Sequence, residues 1–104
     1  MCSSDLWNGL GHGGEGETSI TMAVRPDLVD LEYAESQIPE DVIELSQFST
    51  IIWDIKEVTS TGTTGDSTKA TREKGQKMIE CVTNYIVELI RELEKRDWKY
   101  DYRK

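Results

Sequence analysis

The chain's one histidine, His12, lies in Leu10-Gly11-His12-Gly13-Gly14-Glu15-Gly16-Glu17-Thr18-Ser19, a stretch with four glycines and two carboxylates in ten residues. An imidazole titrates near neutral pH, so in an accessible loop it is suited to act as a general acid or base. Glycines at 13 and 14 let the backbone take conformations closed to other residues and pass close to a bound molecule. Glu17 falls where a helix can begin. A carboxylate there can be held by free backbone N–H groups while its other oxygen faces a metal or a histidine. A glycine turn that merely caps a helix accounts for the same residue types, and composition alone leaves both readings open. The stretch is not a phosphate cradle, since it lacks the Walker lysine and the strand that precedes a dinucleotide fingerprint. A single histidine without a cysteine pair is not a complete metal site, so any metal must draw ligands from elsewhere.

Several elements would hold this loop. Residues 19–24 are apolar and compatible with a short helix that ends before Pro26, with Thr18 or Ser19 as its cap. Residues 25–31 read as a short turn with Leu28, Val29 and Leu31 clustered, and residues 33–48 as an irregular connection. Residues 49–58 concentrate β-branched and aromatic side chains and predict a strand near 50–58. Residues 59–68 are small and polar with two glycines, hence a loop, and Asp66, Ser67 and Thr68 can cap the next helix. From about 68 to 95, Met78, Val82, Tyr85, Ile86, Leu89 and Leu93 recur at steps of three and four. This predicts a long amphipathic helix packing a broad face on a core, with Glu80, Glu88, Arg91, Glu92 and Lys95 solvated. The tail, residues 97–104, is aromatic and charged, fit either to cover a subunit surface or to fray.

Twenty acidic against 12 basic residues, a formal net charge of −8, argues against nucleic-acid binding. No apolar run approaches the roughly 18 to 20 residues that cross a bilayer, and no signal-peptide order appears at the start, so a soluble, cytoplasmic protein is expected. Cys2 and Cys81 lack C-x-x-C spacing, which argues against a zinc site or a disulfide framework, and Cys81 reads as a buried, reduced thiol. Met1 to Leu6 resemble a translated sequencing adapter, so residues 1–6 are expected to be non-native and residues 7–104 to be the C-terminal part of a single domain. One strand and two helices are too little to close a sheet, which points the same way. An apolar face of strand or helix should then remain uncovered.

His12-Gly13-Gly14-x-x-Glu17-Thr18-Ser19, followed by Met22-Ala23-x-x-Pro26-Asp27-Leu28-Val29-Asp30-Leu31, resembles the C-terminal half of the creatininase family of metal-dependent amidohydrolases. Gly62-Thr63-Thr64-Gly65-Asp66-Ser67 and Ala70-Thr71-Arg72-Glu73-Lys74-Gly75 continue the resemblance in the same order. It implies an α/β fold with three layers, α/β/α, and divalent zinc, manganese or iron activating water to hydrolyse a non-peptide C–N bond in a small-molecule amide. It also implies that most ligands lie upstream of this chain, that the full-length protein is a homo-oligomer, and that the 104 residues alone are inactive. His12 matches the family's proton-transferring histidine, and Glu17 a carboxylate beside the metal that supports His12 or serves as a ligand. Gly13 and Gly14 match its substrate-binding loop, while Thr18, Ser19 and Asp66 match helix-capping positions. True creatininases place a tryptophan and acids just before the histidine, whereas Asn8, Gly9, Leu10 and Gly11 stand here. That departure argues against creatinine as substrate. The Gly-His-Gly-Gly-Glu-Gly-Glu-Thr-Ser form, residues 11–19, is more similar to the archaeal branch that deformylates a formylamino-pyrimidine nucleotide. The competing reading is a non-enzymatic module in which the long helix and tail mediate oligomerisation.

Overall fold

The computed structural model describes residues 11–38, 44–46, 49–50 and 54–103. Helix α1 (Glu15–Val24) comes after the histidine loop and ends before a 3-10 turn at Pro26–Leu28, where the proline ring fits the first helical position. A second 3-10 turn, Leu31–Tyr33, is capped by the Asp30 carboxylate, which accepts the Glu32 N–H at 3.0 Å. Strand β1 (Ser36–Gln37) comes next, then β2 (Glu44–Ser46) and β3 (Ser49–Thr50), which pair antiparallel with each other.

The predicted strand continues only as far as Thr50 among the described residues, because residues 51–53 lie outside them and residues 55–58 form a single helical turn, α2 (Ile55–Val58). A capping box overrides the β propensity there. Asp54 accepts the Lys56 N–H at 3.3 Å, while the Glu57 carboxylate reaches back to the Asp54 N–H at 3.1 Å.

Strand β4 (Gly65–Asp66) pairs antiparallel with β1, placing Ser36 opposite Asp66 and Gln37 opposite Gly65. Ser67 extends the pairing: its N–H and hydroxyl donate to the Glu35 carbonyl at 3.2 and 3.0 Å, and its Oγ accepts the Glu35 N–H at 3.1 Å. A 3-10 turn at Ser67–Lys69 then leads to the long helix α3 (Arg72–Lys95). Asp66 caps the 3-10 turn, and Thr71 caps α3 by accepting the Lys74 N–H at 3.2 Å. The long helix therefore begins four residues beyond the expected start.

Helices α1 and α3 cross where their side chains are smallest. Gly16, Ser19 and Gly75 are buried, and Ser19 is fully inaccessible. A Cβ on Gly75 would stand 1.8 Å from the Ser19 carbonyl oxygen, so only glycine permits this approach. Ala70 is the one apolar side chain buried among the described residues. The expected packing of the α3 stripe on a core is therefore confined to its first turns. Val82, Tyr85, Ile86, Leu89 and Ile90 are exposed, Ile86 by 52%, which leaves the apolar face uncovered as the sequence predicts. Glu80, Glu88, Arg91, Glu92 and Lys95 are solvated as expected. Cys81 is half-buried, less enclosed than the buried side chain that its helical pattern predicts.

Candidate functional site

The loop ahead of α1 is built from glycines in the left-handed region. Gly11 has φ +58° and Gly13 φ +62°, and a Cβ on Gly11 would lie 2.0 Å from the Thr64 carbonyl oxygen. His12 is exposed, and its backbone is fixed at two points. Its N–H donates to the Thr64 hydroxyl at 2.9 Å, and its carbonyl accepts the Thr64 N–H at 2.8 Å in an isolated antiparallel bridge. Segments 52 residues apart thus meet, joining the histidine loop to the Gly-Thr-Thr-Gly-Asp loop that runs into β4.

Gly13 is held from the helix side through both of its backbone groups. The Glu17 carboxylate, through Oε2, accepts the Gly13 N–H, and the Thr18 hydroxyl donates to the Gly13 carbonyl at 3.2 Å. This corrects the expected caps. Thr18 and Ser19 lie inside α1, which starts at Glu15 with Gly14 as an N-cap that has no side-chain bond, while Glu17 bonds the residue before that cap. The expectation that N–H groups hold the Glu17 carboxylate is met at Gly13, and Oε1 is not part of that bond. Ser19 instead donates to the Glu15 carbonyl at 2.6 Å and accepts the Thr71 N–H at 3.1 Å, tying α1 to the cap of α3. Gly14, unlike His12, is buried at the turn.

Three features escape a reading by residue type. Thr64 looks like any loop threonine, yet it partners His12. Glu15 makes an ion pair with Lys74, whose Nζ also donates to the Lys69 carbonyl at 2.8 Å. The signal for Lys74 was its place in the Glu-Lys-Gly run. The third is a row of hydroxyls: Thr61 and Thr63 share a bond at 3.0 Å, and Thr59 is buried beside Thr61 at 3.4 Å. Asp66 is buried with its carboxyl held below the usual range, first by the Thr68 hydroxyl and then by Lys69 at 3.4 Å. These bonds are those of a turn cap, in keeping with a capping role.

Among the described residues no three of His, Cys, Asp and Glu lie together as a metal-binding group, so these residues do not by themselves fit a metal ion. No helix among those residues is long and apolar enough to cross a membrane.

A family model described as creatininase, creatinine amidohydrolase, matches residues 2–90. The chain is 35% identical over 81 residues to a creatinine amidohydrolase of Pseudomonas putida, a match spanning 78% of this chain and 30% of that protein. Its fold resembles that of a solved candidate creatinine amidohydrolase from Bacteroides fragilis NCTC 9343, with a TM-score of 0.68, 24% identity, 88% of this chain covered and 36% of the other. The chain thus spans about a third of the length of these relatives. The matched residues take in the histidine loop, the Gly-Thr-Thr-Gly-Asp loop that meets it and the start of α3 that braces both, and the chain belongs to the creatininase family.

Proposed function

We propose that these residues supply the proton-transfer side of a metal-dependent amidohydrolase that cleaves a non-peptide C–N bond. The observation that carries the reading is the pairing of His12 with Thr64, which joins two motifs distant in sequence and leaves the imidazole in an exposed loop. Hydrolysis of an amide requires a proton to reach the departing nitrogen, and an accessible imidazole on a fixed backbone is suited to deliver it. Glu17 holds the loop through Gly13, and this favours a supporting role for it over one as a ligand. The zinc, manganese or iron that the family implies would be held by residues outside those described. The 104 residues alone are expected to be inactive and to bind these ions weakly.

The substrate is a small amide other than creatinine, since Asn8 to Gly11 replace the aromatic and acidic residues of true creatininases. A formylamino-pyrimidine nucleotide is the first choice. The test is hydrolysis by the natural polypeptide that carries this chain, supplied with each metal, against creatinine and formylamino-pyrimidines. His12→Ala should lower kcat by about 100-fold or more with little change in KM. Unchanged turnover would contradict the role of His12, and a preference for creatinine would contradict the choice of substrate.

A second reading has one observation in its favour, the exposed stripe of Val82, Tyr85, Ile86 and Leu89 on α3. In that reading the helix and the tail form an oligomer interface. Removing the residues after Asp97 would then change assembly while His12→Ala left function intact.

A further inference from the structure

The bonds that shape the histidine loop from within, Glu17 to Gly13 and Thr18 to Gly13, fix its local form without fixing its direction. Direction is set by where α1 is fastened to α3, and there are two polar fastenings about one turn apart. One is the Ser19 hydroxyl on the Thr71 N–H, and the other is the ion pair between Glu15 and Lys74. Glu15 occupies the first position of α1, three residues after His12, and its side chain is only 11% exposed. A carboxylate at a helix N-terminus is already favoured by the backbone dipole. What Lys74 adds is a fixed point on a different element.

Lys74 does this in two directions. Its Nζ reaches Glu15 on α1 and the carbonyl of Lys69 at the end of the 3-10 turn. The chain from Lys69 leads back five residues to Thr64, which bonds His12, and His12 leads on three residues to Glu15. The contacts therefore close a ring: His12 to Thr64, along the backbone to Lys69, across Lys74 to Glu15, and along the backbone to His12. The ring has three noncovalent links, His12 to Thr64, Lys74 to the Lys69 carbonyl and Lys74 to Glu15, and opening one relaxes the others.

We infer that Lys74 is a positioning residue for the histidine loop, acting through its ion pair with Glu15 to hold His12 and Glu17 in register with Thr64. The inference rests on the proposed amidohydrolase reading for its meaning in catalysis, but its physical content is a local coupling in the chain itself. Lys74→Met keeps the length of the side chain and removes the charge. The largely enclosed Glu15 carboxylate then loses its counter-ion and is drawn towards water, pulling the first turn of α1 with it.

The experiment is amide hydrogen exchange on the isotopically labelled full chain. In Lys74→Met the Gly13 and Thr64 amides should exchange about tenfold faster or more, while amides from Val82 to Leu89 keep their wild-type rates. Lys74→Arg, which restores the charge, should return Gly13 and Thr64 close to wild type. Unchanged exchange at Gly13 and Thr64 in the Met variant would overturn the inference, as would a uniform acceleration along all of α3, which would mark a general stabilising contact. If the Met variant does not fold, Glu15→Gln is measured against the same two outcomes. A separate assay of the metal-loaded amidohydrolase keeps the two proposals apart: local loosening with unchanged kcat would uphold the coupling and sink the catalytic reading.

Discussion

The two ends of α3 are built by different physics. Its first turns meet α1 through glycine, serine and threonine, with a hydrogen bond donated by the Thr71 N–H to the Ser19 hydroxyl and an ion pair from Lys74 to Glu15. Its later turns carry Val82, Tyr85, Ile86, Leu89 and Ile90 on a face that the described residues leave open. The polar end specifies a geometry, since hydrogen bonds and a close backbone approach tolerate little displacement. The apolar stripe specifies only that something should cover it. The end that carries the candidate chemistry is therefore also the end whose packing between α1 and α3 is specified by contacts among the described residues.

The contrast can be broken most severely at Gly75. Gly75→Ala forces a methyl group onto the Ser19 carbonyl and should cost about 3 kcal/mol by overpacking, measured by urea denaturation followed by circular dichroism. Ser19→Ala comes next. It leaves the Thr71 N–H without its acceptor at a buried contact and should cost about 1 to 3 kcal/mol in the same titration. Glu17→Ala releases the Gly13 N–H and should cost about 1 kcal/mol, with the loss localised at the loop by amide exchange. The smallest effect is expected at the other end. Ile86→Ser, at a half-exposed position, should change stability by about 0.5 kcal/mol or less and improve solubility, read by light scattering.

Acid sharpens the comparison further. The Asp66 carboxyl is held below its ordinary range by the Thr68 hydroxyl and Lys69. A depressed carboxylate contributes stability that is fully present above its unfolded pKa and is lost as pH falls through the folded one. Below the ordinary carboxylate range, Asp66→Asn should therefore converge with wild type, while at neutral pH the variant should be the less stable. The readout is the urea midpoint across that pH range.

Residue types in the sequence carried much of this site, and contacts carried the rest. The glycines, His12 and Glu17 mark out a loop of residue types suited to proton transfer, and the three- and four-residue steps of Met78 to Leu93 mark out α3. The turn at residues 55–58 was missed although Asp54 and Glu57 have capping-box spacing, because the β-branched run Ile51-Ile52 dominated the local propensity. Thr18 and Ser19 are good cap types, yet α1 starts at Glu15 with Gly14 as its cap, which residue type alone does not single out. Thr64 and Lys74 could not be ranked from sequence, since their importance lies in partners 52 and 59 residues away.

The central claim is that the histidine loop is held in place by the polar end of α3, and amide exchange across the wild-type chain tests it directly. Gly13, Thr64 and Thr71 should be protected to the level of global unfolding, while the uncovered turns from Ile86 onward open at lower free energy. Rapid exchange at Gly13 and Thr64, with the later turns of α3 the more protected, would contradict it.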